Sequence, residues 1–132
     1  MYYVELVAII AIIQFLMFGA LTANARRIYD VKAPAISGHQ EFERIYRVQI
    51  NTLEFLMAFL PALFLSAKYW PSAFIAGLGI IYLVGRLIYW RSYVSDPSRR
   101  GLGFLLTLLP TLCLVFTAFA GVCLTIIGIK VF

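Results

Sequence analysis

Charged residues are scarce in this chain of 132 residues, at 13%, while hydrophobic residues make up 63%. A soluble domain of this size cannot bury so much apolar surface, so we expect lipid to cover part of it. Cysteine and histidine are also scarce, with two copies and one. Cys113 and Cys123 are too far apart on one apolar stretch to bridge, and buried thiols usually only pack. His39 has no Cys or His neighbour at ligand spacing, so no metal site is predicted.

Several enzyme motifs are missing as well. The sequence contains no Ser–His–carboxylate set and no glycine-rich phosphate loop. It also shows no internal repeat and no low-complexity tract. If the chain catalyses a reaction, we therefore expect the nucleophile to arrive with a substrate.

Four apolar stretches each reach or approach the roughly 20 residues that a helix needs to cross a bilayer. We predict one domain over 1–132, an all-α integral membrane bundle with spans at 3–27, 42–69, 72–94 and 101–131. The first stretch lacks a basic leader and is too long for a signal peptide, so it is predicted to be a retained span. In the third span, Gly77, Gly79 and Gly85 permit close helix contact.

The net charge of +5 is unevenly distributed along the chain, since nine of the eleven basic residues flank two polar loops, 30–40 and 95–101. The positive-inside rule predicts that both loops face the cytoplasm and that the termini lie on the other side. The membrane would be a bacterial inner membrane or the endoplasmic reticulum. Because membrane spans separate these arginines, no nucleic-acid partner is expected.

A polar stripe leads into the second span. It consists of Arg44, Arg47, Asn51 and Glu54. Their spacing of three, four and three residues puts them on one helical face. Ionisable groups at this depth are costly and usually serve a ligand, a relay or a partner. Two interpretations stay open: a salt bridge that sets the helix register, or a pocket in which arginine holds a carboxylate and glutamate an ammonium.

A second group closes the third span. Arg86, Tyr89 and Tyr93 lie at i, i+3 and i+7, again on one helical face. Tyrosines at a membrane boundary commonly anchor a helix there, but two in line with an arginine weaken that explanation. Arg99 and Arg100 follow at the start of the fourth span. They act either as topology signals or as a cation that lowers the pKa of a nearby nucleophile.

These residues resemble the MAPEG family, the membrane-associated proteins of eicosanoid and glutathione metabolism, and most of all its microsomal glutathione transferases and leukotriene-C synthase. The resemblance covers about the whole chain. The matching residues are Ala25-Arg26-Arg27, Glu41-Phe42-Glu43-Arg44, Tyr46-Arg47, Gln49, Asn51, Glu54, Arg86, Tyr89, Tyr93 and Arg100. The string F-E-R-x-x-R-x-Q-x-N-x-x-E is the specific part, whereas tyrosine pairs are common in membrane helices.

The resemblance implies a homotrimer that binds glutathione between adjacent subunits, near the cytoplasmic side. The residues that would hold glutathione from one subunit are Arg47, Asn51, Glu54, Tyr89 and Tyr93. Arg26 and Gln49 would reach it from the neighbouring subunit. Arg100 would be the catalytic residue that keeps the sulfur as a thiolate, and Arg27 would lie on the electrophile side.

The implied activity is that of a glutathione transferase, with a possible peroxidase side activity, acting on apolar electrophiles or lipid hydroperoxides from the bilayer. A thiol with a pKa of about 8.5 is mostly protonated at neutral pH, so a nearby guanidinium would favour the reactive anion. Phe55 stands where leukotriene-forming members carry tyrosine, which favours a general-purpose enzyme. The alternatives are a non-enzymatic lipid-binding member of the fold, a glutathione-dependent prostaglandin isomerase and a small oligomeric channel.

Overall fold

Long helices dominate the computed structural model, which describes residues 1–131. The helices are α1 (Tyr2–Ile28), α2 (Gln40–Ala67), α3 (Ser72–Ser95) and α4 (Gly101–Ile126). A short 3-10 turn, Pro97–Arg99, joins α3 to α4, and no strand occurs in the described range. All four helices are long and apolar enough to cross a bilayer. The predicted all-α architecture with four membrane-spanning helices is therefore confirmed.

The first three helices begin and end within two residues of the predicted spans. The predicted end of the fourth span, at residue 131, was wrong, because α4 ends at Ile126. Gly128 has φ +83°, a left-handed conformation that glycine adopts without strain. The N–H groups of Gly128 and Ile129 then donate to the carbonyls of Thr125 and Leu124, at 3.1 and 2.9 Å. This is a Schellman cap, and it stops the helix although the apolar sequence continues.

Close contact between α3 and α4 depends on glycine. A Cβ at Gly103 would overlap the backbone of Tyr89, and one at Gly85 would lie 2.7 Å from the carbonyl carbon of Leu106. Gly79 makes a similar contact with α1, as predicted, whereas no other helix in residues 1–131 comes within 4 Å of the Cβ position at Gly77. Gly77 makes no close helix contact within the single chain, because its open side faces a groove between α1 and α3.

Adding one methyl group at Gly103 is expected to destabilise the bundle. Gly103→Ala must push α4 away from Tyr89, and overpacking of this kind typically costs about 1–3 kcal/mol. Thermal unfolding in detergent would report the loss as a lower Tm. Gly101→Ala is the matched control, since no other part of residues 1–131 packs within 4 Å of that Cβ position. Equal Tm values for the two variants would contradict the close α3–α4 contact.

Polar side chains in the core bond to backbone carbonyls of neighbouring helices. Gln14 on α1 donates from Nε2 to the carbonyl of Leu83 at 3.0 Å, and Ser66 on α2 donates to that of Leu114 at 2.7 Å. These bonds satisfy groups that would otherwise be costly to bury. They fix how α1 packs against α3 and how α2 packs against α4.

Candidate active site

A cavity of about 480 Å³ lies between α2, α3 and α4, at the end of the bundle that carries the α1–α2 and α3–α4 loops. Its lining residues are Arg47, Asn51, Tyr89, Tyr93, Arg100 and Phe104. Five of these six residues belong to the predicted site; Phe104 was missed, because one more aromatic residue in an apolar helix gives no distinguishing signal. The helical face predicted on α2 and the one predicted on α3 thus meet across one space, and the start of α4 closes it.

The α2 side of the cavity carries an ion pair. Arg47 Nη1 lies 3.6 Å from Glu54 Oε1, and the two side chains are 51% and 53% exposed. Asn51 Nδ2 donates to the other oxygen of Glu54 at 3.3 Å. An ion pair this exposed contributes only about 0–1 kcal/mol. Both partners belong to α2, so this pair does not set the register between helices, and it is weak enough for a charged ligand to replace it. That the space beside it holds a ligand stays a prediction.

Arg86 lies in the core of the bundle and contacts residues of the cavity wall. Its side chain is fully buried, and the guanidinium donates from Nη1 to Asn51 Oδ1 and from Nη2 to Thr52 Oγ1, both at 2.9 Å. The guanidinium also lies 4.4 Å from the ring centre of Tyr89, which stacks on Tyr93 at 5.4 Å. A buried charge without such partners would be very costly. The sequence correctly put Arg86 on one helical face with Tyr89 and Tyr93, but did not reveal its contacts.

The α3–α4 turn gives two adjacent arginines, Arg99 and Arg100, different surroundings. The Ser98 amide and hydroxyl both donate to Asp96 Oδ1, at 3.0 and 2.8 Å, and these bonds hold the pKa of Asp96 below its usual value. Arg99 pairs with Asp96 at 3.6 Å. Arg100 instead lines the cavity from the N-cap position of α4, and no carboxylate in residues 1–131 forms an ion pair with it. Arg100 therefore leaves a positive charge available to a ligand.

Four residues predicted to contact ligand do not line this cavity: Glu54, the ion-pair partner of Arg47, and Arg26, Arg27 and Gln49. Arg26 donates to the carbonyl of Ala35 at 2.6 Å and covers the Phe42 ring at 4.8 Å. Arg27 donates to Asn24 at 2.8 Å. The Gln49 amide lies beside Gly19 on α1. Arg26 and Gln49 were assigned to a neighbouring subunit's site, so their position in a single chain leaves that prediction open.

Arg44, the first residue of the polar stripe on α2, connects two helices. Its Nη1 donates to the carbonyls of Val94 and Ser95 at 3.2 and 3.4 Å. These are carbonyls of the last turn of α3, which have no partner within the helix. Arg44 thereby ties the start of α2 to the end of α3 and fixes the rim of the cavity.

An apolar groove of about 400 Å³ between α2 and α4 adjoins the cavity. Asn51 and Phe104 line both spaces, and Phe55 packs edge-on against Phe104 with ring centres 5.7 Å apart. The remaining groove residues are Glu54, Ala58, Leu108, Thr111, Leu112 and Val115. A polar and an apolar compartment thus share Asn51 and Phe104 as a common wall.

Known proteins resemble this chain along most of its length. The model of the MAPEG family matches residues 4–120. Human microsomal glutathione S-transferase 2 is 35% identical over 102 residues, which cover 77% of this chain and 69% of the human protein. An uncharacterised protein of Synechocystis is 38% identical over 117 residues, 89% of this chain and 85% of its own. Bovine leukotriene C4 synthase is 35% identical over 83 residues, 63% of this chain and 55% of the synthase.

Proposed function

The chain belongs to the MAPEG family of multi-pass membrane proteins, and on that premise we propose that it is a glutathione transferase with a peroxidase side activity. One observation carries the proposal: five polar or charged side chains predicted to hold or activate glutathione line one cavity. At about 480 Å³, its volume lies in the range usual for small-molecule sites.

The charges in the cavity and beside it, where Glu54 pairs with Arg47, match those of glutathione, which has two carboxylates, one ammonium group and one thiol. Arg47 can bind a carboxylate in a bidentate manner, and Glu54 can accept from the ammonium. The ligand would then replace the Arg47–Glu54 pair charge for charge, so neither residue is left without a partner. Asn51, Tyr89 and Tyr93 add neutral groups for the peptide and the remaining carboxylate.

Arg100 is the residue proposed to activate the thiol. A guanidinium beside the sulfur favours the thiolate over the thiol. The thiolate attacks an electrophilic carbon, a sulfur–carbon bond forms, and the displaced group leaves with its electron pair. With a hydroperoxide, the thiolate sulfur attacks the terminal oxygen and the O–O bond breaks; the departing alkoxide takes up the proton that the thiol lost and leaves as an alcohol. A second glutathione then converts the resulting sulfenic acid into disulfide and water.

The apolar groove between α2 and α4 is proposed to receive the second substrate. An electrophile or lipid hydroperoxide dissolved in the bilayer can enter the groove from the side. Its reactive end then lies near Phe104, which also lines the glutathione cavity. Holding both reactants against one wall raises their effective concentration, a large source of rate acceleration.

A homotrimer is proposed as the complete enzyme. The cavity is lined by α2, α3 and α4 but not by α1. A neighbouring subunit can therefore close the open side and bring Arg26 and Gln49 to the ligand. The basic loops, and with them the site, are proposed to face the cytoplasm.

The proposed function is tested with purified protein in detergent. Calorimetric titration is expected to show glutathione binding, and chromatography to show conjugates with apolar electrophiles and alcohols from lipid hydroperoxides. No binding would contradict the proposal and favour a lipid-binding protein or a channel. Turnover of a prostaglandin endoperoxide that leaves the glutathione concentration unchanged would instead identify an isomerase.

A further inference from the structure

Arg86 contacts a cavity-lining residue, Asn51, from the core of the bundle. The guanidinium is fully buried and does not line the cavity, yet it donates to Asn51 Oδ1, and Asn51 does line it. A guanidinium has five N–H donors and no acceptor. Whatever atom of Asn51 faces Arg86 must therefore be an acceptor, which in an asparagine amide is the oxygen.

The orientation of the whole Asn51 amide follows from this contact. With Oδ1 held by Arg86, the amide nitrogen must point the other way, and Nδ2 does donate to Glu54 Oε2 at 3.3 Å. The opposite rotamer would set the amide N–H groups against the donors of Arg86 and leave both sides without an acceptor. Burying such unpaired groups costs about 1–3 kcal/mol.

Thr52 holds the guanidinium itself in position. The Thr52 hydroxyl gives its proton to the carbonyl of Val48 at 2.7 Å, so its oxygen is left to accept from Arg86 Nη2 at 2.9 Å. The fork of Arg86 is thereby fixed at two points on consecutive residues of α2. A rigid fork fixes the amide more firmly than a single hydrogen bond would.

We propose that Arg86 is a positioning residue that fixes Asn51 with its amide nitrogen away from the core, on the side of Glu54, and so makes Asn51 a hydrogen-bond donor for a carboxylate or carbonyl oxygen of glutathione. This inference rests on the proposed function. Arg86 also lies over the ring of Tyr89, a second lining residue, but donates no hydrogen bond to it within the described residues.

A double-mutant cycle on glutathione binding tests the inference. Arg86→Met and Asn51→Ala are each expected to raise the Kd for glutathione about tenfold, as loss of a hydrogen bond to a charged group does. If Arg86 acts through Asn51, the double variant should also bind about tenfold more weakly. A Kd raised about hundredfold in the double variant, the product of the two single effects, would overturn the inference. So would an unchanged Kd for Arg86→Met.

A separate readout distinguishes positioning from general damage. At saturating glutathione, Arg86→Met is expected to keep the thiolate absorbance of the parent, because Arg100 is untouched. Gln14→Met is the control: it also removes a buried polar side chain of the core, but Gln14 bonds to the carbonyl of Leu83 and not to Asn51. Its Kd should stay within about twofold of the parent value. A rise in Kd equal to that of Arg86→Met would overturn the inference.

A second variant keeps the test decisive if Arg86→Met does not fold. Asn51→Asp keeps an acceptor for Arg86 but removes the amide nitrogen. It is expected to bind glutathione at least as weakly as Asn51→Ala, because the lost donor is the group that faces the ligand. A Kd equal to that of the parent would show that Asn51 does not act as a donor. If the parent itself fails to bind glutathione, it is the proposed function that fails.

Discussion

Arg100→Ala is expected to lower kcat for conjugation about hundredfold, since removing one stabilising group at a developing or persistent anion commonly costs two to three orders of magnitude. The physical reason is the loss of the cation proposed to lie beside the sulfur, so less bound glutathione is ionised at neutral pH. Steady-state conjugation with a saturating apolar electrophile measures the change. The Kd for glutathione should change far less, because Arg47 and Glu54 are retained.

The neighbouring arginine provides the matched control. Arg99→Ala removes the same side chain one residue earlier, but Arg99 pairs with Asp96 and does not line the cavity. Its kcat is expected to stay within about twofold of the parent value, as is usual for exposed surface substitutions. Equal losses in the two variants would mean that the basic turn acts through its overall charge, and would contradict a specific role for Arg100.

Arg47→Ala has the second largest expected effect, a rise in the Kd for glutathione of about 10- to 100-fold. The substitution removes a bidentate partner for a carboxylate, and it also leaves Glu54 without the cation that now lies 3.6 Å away. An unpaired Glu54 would repel the carboxylates of the ligand. Calorimetric titration measures Kd, and kcat at saturating glutathione should fall much less than in Arg100→Ala.

Arg91→Ala is the control for the Arg47 substitution. Arg91 is exposed, belongs to the same basic end of the bundle and does not line the cavity. Its removal lowers the net charge by the same amount, so any long-range attraction of anionic glutathione falls equally. If Arg91→Ala weakened binding as much as Arg47→Ala, the effect would be one of charge alone, and the proposed carboxylate contact would be wrong.

The helices, and the sets of cavity residues that share one helical face, can be predicted from the sequence because both depend on local periodicity. Apolar length predicts the spans, and the spacing of Arg47, Asn51 and Glu54 puts them on one face whatever α2 packs against. The same is true of Tyr89 and Tyr93 on α3. That these two faces meet depends on how the helices pack, and the sequence supplied that only through the family resemblance.

Other features were out of reach because they depend on contacts between distant residues. Arg44 looked like a member of the ligand stripe, but it caps α3 through the carbonyls of Val94 and Ser95. The roles of Arg99 and Arg100 could not be separated, since only the folded turn shows which of them pairs with Asp96. The end of α4 did have a local signal in Gly128, which hydropathy alone does not detect.

The pH titration of bound glutathione tests thiolate formation most directly. Parent protein is saturated with glutathione in detergent, and the ultraviolet thiolate absorbance is followed against pH. A thiolate held beside Arg100 predicts a midpoint well below the ordinary thiol pKa of about 8.5, and a midpoint near the ordinary value in Arg100→Ala. Bound glutathione that titrates at or above its ordinary pKa in the parent protein would contradict activation by Arg100.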